Sequence, residues 1–439
     1  MVRRYHLFGV FVAAAVVAAG GSVVFAAPAA AAPATSVAYP AGATATRFAG
    51  SAFDTCTAPA LSAIKAWNAS PYRAVGIYVS GVNRTCGQPQ LTPGWVSGVA
   101  ALGWRLIPIH KGLQPPCGGK PTDQKISSSG AAAEGTAAAN ESVAAAKALG
   151  ILPGSAIYND IENYSTADTK CRTAVLTYLS AWTKRLHALG YVSGVYANLS
   201  SGAPQLAAVY TSTSYARPDA LWIARWDGST ALTGWTGVAD GRWATHQRAK
   251  QYRGDHIETY GGVSINIDND RFDAPVATVA FDYTVTSTTP LNARTGPSTS
   301  YAAAKTHAPG SGLHAVCQAP GSKVGTTSVW DKLSDGSYVS DYYVSTPSNT
   351  TYSAPLPRCA YPYQTTAAGG LSQRSGPGTS YAKVGTLQNG ALAWVVCQKA
   401  GSKVSTTSVW DRLDSARWVS DYYVANPSNT TYSKPVPRC

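Results

Sequence analysis

The last third of the chain is written twice. Gly321-Ser322-Lys323-Val324 recurs as Gly401-Ser402-Lys403-Val404, and Thr326-Thr327-Ser328-Val329-Trp330-Asp331 as Thr406-Thr407-Ser408-Val409-Trp410-Asp411. Val339-Ser340-Asp341-Tyr342-Tyr343-Val344 recurs as Val419-Ser420-Asp421-Tyr422-Tyr423-Val424, again at an offset of 80 residues. Two copies are too few for a stacked repeat array, so they predict a tandem pair of small domains, residues 280–359 and 360–439. Each copy reads as short strands broken by Gly, Pro, Ser and Asn turns. The cysteines within a copy lie 42 residues apart. Cys317–Cys359 and Cys397–Cys439 are therefore the natural bridges, each worth a few kcal/mol on so small a fold.

Ahead of the repeats, residues 45–275 alternate short apolar runs with helical patterns. Strands are predicted at Phe48–Asp54, Ala74–Ser80, Arg105–His110, Ala156–Ile161, Val192–Ala197, Ala220–Trp226, Gln247–Tyr252 and Val263–Ile267. Helices are predicted at Pro59–Asn68, Pro93–Leu102, Ala131–Leu149 and Thr173–Leu189, the last two ended by Gly150 and Gly190. Alternating β and α units imply a parallel sheet. Eight strands in this length predict an α/β fold of the (β/α)8, TIM-like barrel type. The later helices are short or absent, which leaves room for an incomplete barrel. A doubly wound open sheet is the alternative, though no Gly-rich phosphate loop follows the first strand.

In a (β/α)8 barrel the chemistry sits at the C-terminal strand ends. Those ends carry Asp54, Tyr78, His110, Asp160 with Glu162, Asn198, Arg225 with Trp226, Gln251, and Asp268 with Asp270. Strand periodicity puts Asp160 and Glu162 on one face, about 7 Å apart. Five of the chain's 22 acids are thus expected at one mouth. Their mutual repulsion should raise at least one pKa, as a general acid requires. Paired carboxylates of this kind serve glycoside hydrolysis. His110 has no Ser or Cys partner in sequence, so a hydrolytic triad is unsupported; it is expected to line the pocket or to pack. Trp226, Trp235 and Trp243 are candidate sugar-stacking faces, with Trp222 expected in the core.

The N-terminus reads as an export signal, residues 1–32. Arg3 and Arg4 precede an Ala/Val/Gly-rich apolar run with small-residue cleavage sites near Ala29 to Ala34. An uncleaved membrane anchor is the alternative. Export permits disulfides, and the eight cysteines make an even set. Cys56, Cys86, Cys117 and Cys171 allow three connectivities; Cys56 and Cys86 follow adjacent strand ends, which favours Cys56–Cys86 with Cys117–Cys171. No CxxC pair or Cys/His cluster suggests a metal, and no cofactor is expected. The formal charge of +13 is dispersed, and only 13% of residues are charged. With no Lys/Arg run, nucleic-acid binding is unsupported; a weak attraction to anionic wall polymers is expected instead.

Two resemblances sharpen these readings. Leu291 to Tyr301 and Leu371 to Tyr381 resemble the opening of bacterial SH3-like domains, and Tyr338 to Val344 and Trp418 to Val424 resemble that family's last strands. The resemblance implies wall binding, with Tyr301, Trp330, Tyr342, Tyr381, Trp410 and Tyr422 as candidate contacts. In the barrel, Tyr158-Asn159-Asp160-Ile161-Glu162-Asn163-Tyr164 resembles the Asp-x-Glu motif of the lysozyme-like family 25 glycoside hydrolases. Phe53-Asp54-Thr55-Cys56, Gly76-Ile77-Tyr78 and Trp104 to Pro108 are closer still to an exported actinobacterial family of glycoside-hydrolase-like domains. Carried over by position, Glu162 would be the general acid/base and Asp160 would hold an acetamido group or stabilise the oxocarbenium-like state. Asp54 and Asp268 would shape the subsite where the sugar distorts. Tyr78, His110, Asn198, Arg225, Trp226, Gln251 and Asp270 would bind substrate.

The expectation is a secreted, wall-associated, monomeric glycoside hydrolase-like protein. It would act on cell-wall glycan such as peptidoglycan, be targeted by the SH3-like pair, and be free of membrane after cleavage. A non-catalytic glycan binder with a degenerate barrel is the alternative.

Overall fold

The computed structural model describes residues 43–439, so the expected export signal lies outside the described residues. The first 230 or so described residues form a closed eight-stranded barrel. Its elements run β1 (Thr46–Asp54), α1 (Leu61–Ala66), β2 (Ala74–Ser80), α2 (Pro93–Ala101), β3 (Arg105–His110), α3 (Ala131–Ala148) and β4 (Ala156–Ile161). They continue with α4 (Thr169–Ala188), β5 (Val192–Asn198), α5 (Gly202–Ala208), β6 (Ala220–Ala224), β7 (Arg248–Tyr260) and β8 (Val263–Val276). Local chemistry sets several boundaries. Thr92 caps α2 by accepting from the Trp95 amide at 3.1 Å, with Pro93 in the first turn. Asp168 caps α4 by accepting from the Cys171 amide at 3.0 Å. Gly150 and Gly190 follow α3 and α4 at φ of 75° and 83°, a region open to glycine.

The closure differs from the expected all-parallel barrel. β1 to β7 pair in parallel, but β8 runs antiparallel to both β7 and β1. Only Gly261 and Gly262 separate β7 from β8. A parallel return needs a crossover of a dozen or more residues, so two residues permit only a hairpin. Asp268 and Asp270 therefore lie on a strand that descends from the mouth, not at the end of one that rises to it.

Strand alternation divides the side chains. Ala52, Ala74, Ile107, Ile109, Ala156, Tyr158, Trp222 and Phe272 fill the barrel interior. Tyr158, Trp222 and Phe272 meet edge-to-face, with centroids 5.0–6.0 Å apart. Gly194 makes room for this cluster: a Cβ there would lie 2.3 Å from the Tyr158 ring. The alternate residues, among them Phe53, Val75, Leu106 and Ile157, pack outward under the helices.

Two six-stranded antiparallel sheets follow, each curled into an SH3-like half-barrel. The first contains β9 (Phe281–Thr284), β10 (Leu291–Arg294), β11 (Ala303–His307), β12 (Gly312–Val324), β13 (Thr327–Leu333) and β14 (Tyr338–Ser340). The second contains β15 (Tyr361–Gln364), β16 (Leu371–Arg374), β17 (Lys383–Leu387), β18 (Leu392–Val404), β19 (Thr407–Leu413) and β20 (Trp418–Ser420). Both have the same strand order, as the repeat demands. Four disulfides, Cys56–Cys86, Cys117–Cys171, Cys317–Cys359 and Cys397–Cys439, leave no free cysteine among the described residues. Trp330 and Trp410, expected as wall contacts, sit in the core of their repeats. Each is buried and donates its indole N–H into its own repeat, to the Ser322 and Ser402 carbonyls, because a barrel this small needs them as core.

The second repeat docks on the barrel. Leu392, Trp394 and Val396 join the same buried cluster as Phe272, Ala274 and Val276. Polar contacts surround this seam. Arg47 pairs with Asp414 at 2.7 Å, Arg217 donates to Gln364 at 3.0 Å, and the Leu392 amide donates to Gln247 at 3.2 Å. The two repeats touch through the Tyr338 and Tyr361 hydroxyls, 2.8 Å apart. Among the described residues, no helix is long and apolar enough to cross a membrane.

Candidate active site

The mouth of the barrel holds a cavity of about 340 Å³. Its lining includes Asp54, Thr55, Tyr78, Arg84, Lys111, Lys120, Asp255 and Asp268. Asp54 ends β1, and Asp268 faces it across the β1–β8 pairing. Between them Gln251 donates from Nε2 to Asp54 at 2.8 Å and to Asp268 at 3.1 Å. Its Oε1 accepts from the Tyr196 hydroxyl at 2.9 Å and from the Trp226 indole at 2.8 Å. Gln251 is thus fully used as a spacer, and its two ends fix two acids and two aromatic rings.

Below this layer Asp270 is buried within reach of the Asp54 charge. Asp270 also accepts from the Trp222 indole at 3.0 Å. Burial, then the charge of Asp268, pushes Asp54 well above the usual carboxylate range. Burial, then the charge of Asp54, does the same to Asp270. Asp268 is also raised, chiefly by burial. Burial and mutual repulsion thus disfavour ionising all three acids together.

Across the mouth, the next carboxylates are organised by a lysine. Lys111 Nζ lies 3.1 Å from Asp160 Oδ2 and 2.5 Å from Glu162 Oε1. Asp160 is buried at the end of β4, whereas Glu162 is partly open to solvent. Burial raises Asp160 to about 6, even though Lys111 pulls the other way. Burial would lower Lys111, but Asp160 and Glu162 outweigh it and hold the ammonium above the usual lysine range. Gln114 orients the pair from behind, donating to the Asp160 carbonyl at 2.8 Å and accepting from the Glu162 amide at 2.9 Å. Tyr78 and Tyr196 are pushed up by burial and by the surrounding carboxylates, so both stay as neutral hydroxyls.

Two expected pocket residues lie elsewhere. His110 points outward, because alternation along β3 sends Ile107 and Ile109 in and His110 out. It stacks on Trp182 and bonds Ser80 Oγ at 2.8 Å; burial drops it to about 3, so it is a neutral packing group. Arg225 also faces outward, on the rim, paired with Asp227 at 2.9 Å. Of the candidate tryptophans only Trp226 is open, at 62% exposure; Trp235 and Trp243 are buried under the barrel's outer helices and loops. Asn198 stands at the rim, where its Oδ1 accepts from the Ser200 amide and hydroxyl.

Lys111 and Tyr196 were not among the sequence candidates. Continuing the inward alternation of Ile107 and Ile109 by one step lands on Lys111, so the signal lay one residue past the apparent strand end.

Residues 65–272 match the family model described as Rv2525c-like, glycoside hydrolase-like domain. Among solved structures, this domain is similar to the Tat-secreted protein Rv2525c of Mycobacterium tuberculosis, crystallised with L-tartrate. Identity is 16% over 51% of this chain and 96% of that one, with a TM-score of 0.38. A lysozyme from Streptomyces coelicolor matches at 18% identity over 51% of this chain and 92% of its own, TM-score 0.31. A family 25 glycosyl hydrolase from Bacillus anthracis matches at 13% over 52% and 93%, TM-score 0.32. Nothing further rests on these three likenesses. No curated protein matches the chain.

Proposed function

We propose that the chain is an exported glycoside hydrolase-like protein that takes a cell-wall glycan such as peptidoglycan into the barrel mouth and hydrolyses it. The observation that carries this reading is one cavity lined by Asp54 and Asp268 on one side and by Lys111 on the other. The first two acids crowd each other and are raised, whereas Asp160 and Glu162 meet the Lys111 ammonium. Environments that separate the proton affinities of neighbouring carboxylates are what acid–base cleavage of a glycosidic bond uses. In this reading Glu162, the most open of the acids, exchanges the proton with the glycosidic oxygen. Asp160 faces the developing positive charge or an acetamido group. Asp54 and Asp268 shape the subsite with Tyr78, and Trp226 supplies the stacking face at the rim. The four disulfides support an oxidising, extracellular location. The SH3-like pair adds wall contacts through the open rings of Tyr342 and Tyr381.

One observation favours a second reading, glycan binding without cleavage. Lys111 occupies the Glu162 oxygen that would have to carry and release the proton. Mass spectrometry of wall fragments after incubation decides between them. Hydrolysis predicts new reducing ends with the wild type and none with Glu162→Gln. Retention of glycan without any new ends establishes the binder.

A further inference from the structure

A second cavity, of about 270 Å³, lies where the two repeats meet, far in sequence from the barrel's acids. Its walls come from both copies: Gln318, Tyr352 and Arg358 from the first, Val396, Arg412 and Asp414 from the second. Two guanidinium groups converge there on one phenol. Arg358 lies over the Tyr352 ring, and both Arg358 and Arg412 act electrostatically on its hydroxyl.

The charge of this cavity is not balanced by the chain. Among the described residues, neither Arg358 nor Arg412 forms an ion pair with a carboxylate. Asp414, the one acid in the lining, is turned to Arg47, which holds its Oδ2 at 2.7 Å. Two unpaired arginines in a concave, partly desolvated site repel each other and attract an oxyanion, which guanidinium groups bind through parallel N–H bonds. The repeat itself offers a comparison. The position equivalent to Arg412 in the first copy is Lys332, which is buried against the Tyr361 ring and lines no such space. The equivalents of Tyr352 and Arg358 in the second copy are Tyr432 and Arg438, and there too the arginine lies over the tyrosine ring. Among the described residues, the two arginines and the cavity come together where the copies meet.

We infer that the junction between the two repeats is a binding site for an oxyanion group, a carboxylate or a phosphate, clamped by Arg358 and Arg412 beside Tyr352. The space admits such a group with a few attached atoms, as presented by the end of a short peptide or by a phosphate-bearing polymer. The site does not depend on any activity of the barrel mouth.

Calorimetric titration of the full chain with two probes, inorganic phosphate and N-acetylglycine, tests this. Saturable binding of at least one probe is expected, weakened tenfold or more in Arg412→Gln and in Arg358→Gln. Arg374→Gln, an arginine outside the cavity, should bind as the wild type does. Preference for N-acetylglycine identifies a carboxylate source, and preference for phosphate a phosphate source. Arg358 is exposed, so its variant keeps the test valid if Arg412→Gln folds poorly. Absence of saturable binding of either probe, or equal binding in both cavity variants, overturns the inference.

Discussion

The ammonium of Lys111 sits 2.5 Å from Glu162 Oε1, at the mouth of a barrel whose other carboxylates crowd one another. The same nitrogen reaches Asp160, so one cation from the end of β3 neutralises two acids at the end of β4. The electrostatics of this side of the site therefore depend on a single side chain.

Replacing Lys111 by Met should raise the pKa of Asp160 above about 6, because the charge that lowers it is gone while burial and Glu162 remain. The stability consequence has a definite sign. The folded pKa of Lys111 is raised, so its contribution is fully present below the ordinary lysine pKa and lost only as pH climbs through the folded value. At pH 7 the variant should be less stable by up to about 3–5 kcal/mol, the cost of stripping a buried charge of its partner. The deficit should shrink as pH falls through about 6, where Asp160 takes up a proton and needs no cation. Thermal melts of both proteins from pH 3 to 8, with a carboxyl ¹³C titration of Asp160, check both parts.

A second pH dependence belongs to the repeats. Gln318 donates to Asp331 and Asp341, each at 2.9 Å, and Gln398 donates to Asp411 and Asp421, each at 2.8 Å. Within each pair the carboxyls are buried and their charges act on each other. Burial raises all four acids, Asp421 to about 7. Raised carboxyls stabilise the fold fully below the unfolded value near 3.8, and that stability is lost as pH rises toward 7. The melting temperature of the wild type should fall over this range, by the equivalent of a few kcal/mol per pair at most. Asp421→Asn, whose amide mimics the neutral acid, should flatten part of the slope. An unchanged slope would show that the pair does not titrate there.

Much of this architecture is legible in the sequence, and the failures have physical causes. The repeat offset locates both half-barrels and their disulfides, because identical residues at one spacing admit one reading. The second to fourth strands are legible because each is followed by a helix with its own cap or glycine stop. The reversal of β8 is hidden by its pattern, since an alternating strand looks alike in either direction; only the short Gly261-Gly262 link betrays it. The acids at Asp54, Asp160 and Glu162 follow from strand ends, whereas Asp268 reaches the mouth from within the antiparallel β8. The outward turn of His110 and the inward turn of Lys111 depend on register, which one residue reverses. The docking of Trp394 on the barrel had no sequence signal, because a buried interface residue reads as the core of its own domain.

That docking makes a prediction of its own. Trp394 is buried in a cluster shared with Phe272 and Val276, and Arg47 and Asp414 close the seam beside it. Trp394→Ala should cost about 3–5 kcal/mol, as large-to-small changes of buried aromatics do. Because the cluster spans both bodies, the loss should lower the unfolding of barrel and second repeat together. Calorimetry should show one shifted transition. Two separate transitions, with only the smaller one shifted, would mean that the repeat folds independently of the barrel.

The last prediction separates the two tryptophans nearest the mouth. Trp222 is in the core and holds Asp270, whereas Trp226 is open on one face and anchored through its indole N–H to Gln251. Its ring also lies against Gly254, where any Cβ would clash with it. The ring is thus held rigidly with a face to solvent, the arrangement that favours stacking on an apolar sugar face. Trp226→Ala should weaken binding of a wall oligosaccharide roughly tenfold, about 1.4 kcal/mol, while changing stability by no more than about 0.5 kcal/mol, as for a surface site. Trp222→Phe should show the reverse, with stability lost because Asp270 gives up its donor and is left buried with one hydrogen bond fewer. Oligosaccharide titration and thermal melts of the two variants side by side check this. Equal affinity in Trp226→Ala and wild type would remove Trp226 from the binding surface.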